Sequence, residues 1–139
     1  MLKLIVAVVA GVLVGTVVVA GVEVIGHQLF PMPEMFNPHD PVHAKNMMQH
    51  VPPGSMWTVV IGWVLGGLAA GWVAGAIEHS HTAAAIAGGV LLGAGIATML
   101  EIPHPLWMWF CGVLLPIPSA LLGASLAPKR KPAAAAAAT

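Results

Sequence analysis

Four long apolar blocks, separated by more polar segments, dominate the pattern of this chain. They run over residues 4–26, 57–77, 83–100 and 106–126. A helix needs about 20 apolar residues to cross the hydrocarbon core of a bilayer, and each block is close to that length. The blocks are continuous rather than alternating, which argues against the strands of a membrane barrel. The pattern therefore predicts an all-α fold, a four-helix transmembrane bundle.

The composition supports a membrane protein with a single compact domain. Of the 139 residues, 58% are hydrophobic and only 7% are charged, and the mean hydropathy is +0.90. A soluble domain has about 25% charged residues, because it covers its surface with them. We expect contact with the lipid bilayer over residues 1–127, followed by a basic, then alanine-rich, disordered tail at 128–139. The formal net charge of zero gives no reason to expect a nucleic-acid partner.

The few charges near the block ends predict an orientation. Lys3 precedes the first block and the basic run 129–131 follows the last one. Basic residues that flank membrane spans stay in the cytoplasm, so both termini are predicted to be cytoplasmic. Trp57, Trp107 and Trp109 then fall at the outer boundary, where indole rings favour the interface. The first block is longer than the apolar region of a signal peptide, and a retained anchor is expected.

Glycines spaced four apart predict how the helices pack. Such spacing lets helix backbones approach closely in a membrane. The second block is the richest, so it is predicted to lie at the bundle centre, and two interrupting prolines, Pro116 and Pro118, predict a kink in the fourth block. Whether the protein is a monomer or an oligomer stays open. The glycines concerned are Gly62, Gly66, Gly67, Gly71 and Gly75, with Gly11 and Gly15 in the first block and Gly89 and Gly93 in the third.

The segment between the first two blocks is rich in histidine and methionine. Its stretch "DPVHAKNMMQHV", residues 40–51, predicts a short amphipathic helix in the first extracytoplasmic loop. Asp40 is a suitable N-cap and Pro41 a suitable first helical residue. A second interpretation is copper binding, because methionine thioethers and histidine imidazoles suit Cu(I). The residues concerned are His39, His43 and His50, with Met32, Met35, Met47, Met48 and Met56.

Two glutamate–histidine pairs lie at similar depth in the predicted bundle. Glu23 and His27 share a helix face because they are four residues apart, and Glu101 is followed by His104 in "EIPHP". At a rise of ~1.5 Å per residue, both carboxylates lie roughly 27–28 Å along their blocks. Glu23, His27, Glu101 and His104 form a candidate metal site. The same residues are equally compatible with a proton or cation relay. A third interpretation is that they are hydrated and anchor the outer rim of the bundle.

Several motifs, in order, carry a resemblance to a known group of proteins. "EVIGHQLFP", "NPHDP", "VPPGSM" and "IPHPLWMW" occur along residues 1–127. With them the chain resembles a family of small four-span bacterial membrane proteins of uncharacterised function. The resemblance implies the fold and a location in the bacterial inner membrane, and it implies no activity, substrate or cofactor.

The remaining motifs narrow the function classes. The sequence has no nucleotide-binding loop, nucleophile elbow, zinc-protease motif or Cys-x-x-Cys pair, and Cys111 is its one cysteine. We therefore expect no enzymatic activity. The leading hypothesis is an accessory or structural subunit, packed through glycine-rich helices against a second copy or a larger membrane complex. The alternative is a proton or cation pathway, or a metal-binding membrane protein, that uses the glutamates and histidines at the outer rim.

Overall fold

A computed structural model describes residues 1–31 and 50–128 and shows an all-α bundle in that part of the chain. The helices are α1 (Leu2–Leu29), α2 (Pro53–Glu78), α3 (His81–Glu101), α4 (Leu106–Leu114) and α5 (Pro116–Leu126). The last two together form one span, so the described chain has four spans long and apolar enough to cross a membrane.

The chain is thus a multi-pass membrane protein, and the predicted four-helix architecture is confirmed. Each of the first three helices extends a few residues beyond its apolar block at one end or both. The predicted amphipathic helix lies almost entirely outside the described residues, as do all but the first residue of the predicted tail. The proposed copper ligands other than His50 and Met56 also lie outside them.

Local chemistry sets the two-residue turn between α2 and α3. His79 ends α2 in the left-handed conformation, with φ of 56°, and its N–H donates to the carbonyl of Gly75 at 2.8 Å. Ser80 then caps α3, because its hydroxyl accepts a hydrogen bond from the N–H of Thr82 at 3.0 Å. This tight turn makes α2 and α3 antiparallel neighbours.

The predicted kink in the fourth span is confirmed as a break between two helices. α4 ends at Leu114 and α5 begins at Pro116. Pro116 has no N–H to give to the carbonyl of Gly112, which interrupts the helical ladder. The buried hydroxyl of Ser119 donates to the carbonyl of Pro116 at 2.9 Å, so this hydroxyl has a partner beside the break.

Helix α2 lies at the centre, as its glycines predict, and it packs against α1, α3, α4 and α5. A Cβ atom on Gly11 would lie 2.6 Å from the carbonyl oxygen of Ala70 in α2. One on Gly75 would lie 2.9 Å from Cα of Ala124 in α5. Real Cβ atoms do not approach this closely, so the glycines are what allows these backbones to touch.

In α3, Gly89 and Gly93 make no close contact with another helix of the described bundle. A Cβ atom on either of them meets no atom within 4 Å, whereas one on Gly88 would lie 2.8 Å from Cβ of Ala120. Adjacent helical residues point about 100° apart, so Gly88 and Gly89 cannot share a face. Helix α3 uses Gly88 to pack against α5 and leaves Gly89 and Gly93 on an open face.

The tightest packing lies at one end of the bundle, which we call the Lys3 end. There a core of alanines joins the first three spans: Ala7, Ala70, Ala74, Ala83 and Ala87. At this end Lys3 contacts Glu78, and Gly75 lies close to Ala127. The start of α1 and the end of α5 therefore lie together, as an even number of spans requires. Which side of the membrane this end faces stays a prediction.

Candidate functional site

A cavity of about 700 Å³ lies at the opposite end of the bundle, which we call the Glu23 end. All four spans contribute to its wall. Leu91 marks its inner limit, since this residue lines the cavity and also packs against the alanine core. Within residues 1–31 and 50–128, small residues therefore fill the space between helices at the Lys3 end, and a cavity separates the helices at the Glu23 end.

Helical spacing explains which residues face the cavity. Helix α1 contributes Thr16, Val19, Glu23 and His27, which are three or four residues apart and so share one face. Helix α3 contributes Leu91, Ala94, Gly95 and Thr98 with the same spacing, and its C-cap Ile102 adds one more lining residue. One face of each helix thus forms one wall, and the predicted pair Glu23 and His27 lies on the α1 wall together.

Three of the four predicted site residues line this cavity, and Glu101 does not. Glu23, His27 and His104 are in the wall, whereas Glu101 is exposed at the end of α3. Its neighbour Ile102, the C-cap of α3 in an extended conformation, is in the wall instead. Glu101 therefore lies next to a lining residue but outside the cavity wall.

Glu23 places a carboxylate in a largely apolar wall. Its side chain is half-buried and lies within electrostatic range of His27, which is exposed at the mouth. The ion pair found among the described residues is at the other end, between Lys3 and Glu78. The ionised Glu23 carboxylate therefore has no salt-bridge partner in residues 1–31 and 50–128. An ionisable side chain without a salt-bridge partner is costly within a membrane bundle, so Glu23 is a candidate functional residue.

His104 is held in one tautomer by the turn between α3 and α4. Its Nδ1–H donates to the carbonyl oxygen of Ile102 at 2.5 Å, so Nε2 carries the lone pair of the neutral ring. Burial lowers the pKa of the His104 imidazole, and the hydrogen bond to Ile102 opposes that effect. His104 is therefore a neutral side chain near neutral pH, with an acceptor nitrogen available.

The remaining polar lining consists of hydroxyl groups. Thr16, Ser55 and Thr98 are in the wall, and the hydroxyl of Thr98 donates to the carbonyl of Ala94 at 3.2 Å. Because that proton is used, the Thr98 oxygen presents lone pairs. The wall is otherwise made mainly of apolar side chains, among them Val59, Met108 and the indole of Trp63.

Sequence reasoning missed most of these lining residues. Trp63, Thr98 and Met108 carry no motif, and each is an ordinary residue for a membrane helix. The sequence feature that could have indicated some of them is spacing. Thr98 and Ile102 are four residues apart, as are Leu91 and Gly95. Which of several such faces lines a cavity depends on helix rotation, which the spacing leaves undetermined.

The aromatic residues predicted at one membrane boundary meet beside the cavity mouth. The ring centroids of Trp57 and Trp107 lie 4.8 Å apart with an interplanar angle of 34°. Each is adjacent in sequence to a lining residue, Met56 and Met108 respectively. The pair fastens the start of α2 to the start of α4 at the Glu23 end.

The metal hypothesis gains no support from the arrangement of ligands. No three His, Cys, Asp or Glu side chains in residues 1–31 and 50–128 are grouped so that they could hold a metal ion. The four-residue metal site remains a prediction, and Glu23, His27 and His104 are the members that share a cavity.

No protein-family model, curated protein or solved structure matches the chain. The resemblance seen in the sequence motifs therefore identifies no family. What is established is a small multi-span membrane protein with a polar-rimmed cavity between its helices, and function is inferred from that cavity.

Proposed function

We propose that this protein is a non-enzymatic binding protein of the membrane, which holds a small molecule in the cavity at the Glu23 end. The observation that carries the proposal is the cavity itself, at about 700 Å³ and with walls from all four spans. Ligand sites in proteins are typically clefts of about 300–1,000 Å³, mostly apolar, with a few convergent polar groups. Glu23, His27 and His104 supply those groups.

The closed Lys3 end favours a binding site over a continuous pathway for ions. Residues such as Ala7, Ala70 and Ala83 are fully buried there, at 0% exposure, and they fill the space between three helices. A ligand would enter from the Glu23 end and stop near Leu91. The sequence suggested a proton or cation pathway as an alternative function. Because the Lys3 end is closed, we propose that a cation would be bound in the cavity, with Glu23 as the charged residue of the site.

Two glycines on α3 allow a sharp test. A Cβ atom on Gly95 or on Gly93 meets no atom within 4 Å, so both positions accept a larger side chain. Gly95 lines the cavity and Gly93 does not. Gly95→Leu should fill the cavity, while Gly93→Leu adds the same side chain outside it.

The experiment is to purify the protein from its membranes in mild detergent and identify retained small molecules by mass spectrometry. We expect a near-stoichiometric molecule in the wild type and in Gly93→Leu, and its loss in Gly95→Leu. Equal amounts in all three proteins, or no retained molecule in any of them, would refute the proposal.

A second candidate function is the accessory subunit suggested by the glycine-rich helices. The glycines of α2 are mostly used within the chain, since Gly66, Gly71 and Gly75 each touch a neighbouring helix. The observation in favour is the open face of α3 at Gly89 and Gly93, where a helix of another subunit, or of a second copy, would approach closely.

The same two variants separate this role from ligand binding. If α3 packs against another subunit, Gly93→Leu should abolish co-purification or self-association in mild detergent, and Gly95→Leu should preserve it. Unchanged association in Gly93→Leu would count against the subunit role. The pair therefore gives opposite results under the two functions.

A further inference from the structure

Three polar groups of the cavity present hydrogen-bond acceptors. Glu23 presents a carboxylate, His104 presents Nε2 because its Nδ1–H is used by Ile102, and Thr98 presents lone pairs because its proton is used by Ala94. No lysine or arginine is among the lining residues that the structure describes. Such a set suits a group that is positively charged and suits an anion poorly.

Among the described lining residues, one carboxylate supplies negative charge. It belongs to Glu23, because Glu101 is outside the wall and Glu78 lies at the other end of the bundle. His104 is neutral near neutral pH for the reason given above. One negative charge in an apolar wall matches a ligand with one positive charge.

The rest of the wall suits an apolar body rather than a bare ion. Val59, Leu91 and Met108 surround the space below Glu23, and the indole of Trp63 is also in the wall. An aromatic ring attracts a cation that lies over its face. A bare inorganic cation would instead need about six or more oxygen ligands at short distance, and the described wall consists mainly of carbon.

We infer that the cavity binds an organic monocation with an apolar body, placing the charged group at the Glu23 carboxylate and the apolar part between Val59, Leu91 and Met108. This inference rests on the proposed function, since it names the chemical class of the ligand for the same cavity. It goes further in assigning Glu23 as the residue that selects for positive charge.

Two probes of nearly the same shape test the role of charge. Phenyltrimethylammonium and tert-butylbenzene differ chiefly in one atom, nitrogen in place of carbon, and hence in charge. Binding of each is measured by calorimetry on the purified protein in lipid nanodiscs, with empty nanodiscs as the blank. The wild type should bind the cation at least about tenfold more tightly than the neutral probe, since a carboxylate a few ångströms from a cation near a protein surface is worth more than that factor.

Two carboxylate variants form a matched pair. Glu23→Gln keeps the size of the side chain and removes its charge, and it should lower the affinity for the cation about tenfold or more. Glu101→Gln makes the same change at similar depth outside the cavity, and it should bind as the wild type does. Gly95→Leu should bind neither probe.

The outcomes separate this inference from the proposed function. If both probes bind the wild type equally, or if Glu23→Gln and Glu101→Gln behave alike, while Gly95→Leu blocks binding, the ligand class is wrong and the binding function survives. If neither probe binds the wild type, or if Gly95→Leu binds as the wild type does, both are overturned. The preference of the wild type needs no variant, so the test holds even if Glu23→Gln fails to fold.

Discussion

The ammonium of Lys3 lies 3.9 Å from Oε2 of Glu78, joining the start of α1 to the end of α2. That carboxylate oxygen is inaccessible to solvent and accepts no hydrogen bond from the residues described. The ion pair is therefore its main electrostatic partner, although the Lys3 side chain is itself half-exposed.

Removing the charge of Lys3 alone should destabilise the protein, and removing the charge of Glu78 as well should restore the lost stability. We expect Lys3→Gln to lower the free energy of unfolding by about 1 kcal/mol or less, because exposed pairs are weak. Lys3→Gln/Glu78→Gln should be no less stable than the single variant. Thermal unfolding in detergent, followed by circular dichroism, gives the four values of the cycle. Additive effects of the two substitutions would show that the pair is not coupled.

The glycines of the bundle should differ sharply in their tolerance of a methyl group. Gly71 faces the backbone of Ala120, which cannot move aside as a side chain would. Gly71→Ala should therefore destabilise the bundle by at least about 1–3 kcal/mol. Gly89→Ala, with no atom within 4 Å of the new Cβ, should be neutral or stabilising by up to about 1 kcal/mol, because alanine is the better helix former.

Unfolding of the two glycine variants in the same detergent checks this difference. Gly21→Ala is a further control, since its Cβ also meets nothing within 4 Å. If Gly71→Ala is as stable as Gly89→Ala, the close contact between α2 and α5 does not exist as described.

The stacked indoles of Trp57 and Trp107 should be energetically coupled. Aromatic pairs contribute about 0.5–1.5 kcal/mol beyond the area that they bury. We expect Trp57→Leu and Trp107→Leu each to destabilise the protein, and the double variant to be more stable than the sum of the two losses implies. Trp57→Leu combined with Trp72→Leu is the matched control, because Trp72 is at the other end of α2, and that pair should be additive.

The half-buried imidazole of His104 predicts a loss of stability in acid. Burial lowers its pKa in the folded protein, so the unfolded chain takes up the proton first as the pH falls. Its contribution is complete above the ordinary histidine pKa of about 6.5 and decreases below it. The melting temperature should therefore fall between pH 7.5 and pH 5.5, and it should fall less in His104→Gln.

His81→Gln is the matched control for this measurement, because His81 is exposed at the Lys3 end. It should keep the difference in melting temperature that the wild type shows between the two pH values. If His104→Gln and His81→Gln have the same pH dependence, protonation of His104 does not limit stability in acid.

The candidate site shows what the position of a residue along a helix predicts about its surroundings. Counting residues along α1 and α3 places Glu23 and Glu101 near one level, because the rise of a helix per residue is fixed. Depth does not determine which side chains line a cavity: Glu101 is exposed at the end of α3, while Ile102, which follows it, is in the wall. The glycines show the same limit. Gly89 and Gly93 have the same spacing as Gly67 and Gly71, yet among the described residues only Gly67 and Gly71 meet another helix.

By itself the sequence determined the number of spans, their approximate limits, the break at Pro116 and the central place of α2. These follow from local properties, namely the length of apolar runs, the missing N–H of proline and the density of glycine. Tertiary structure alone decided the rotation of each helix, and with it the cavity that joins Glu23 to His104 and excludes Glu101. Rotation is set by contacts between helices, such as Gly88 against Ala120. The sequence of an apolar helix without a polar face has few features that predict this rotation.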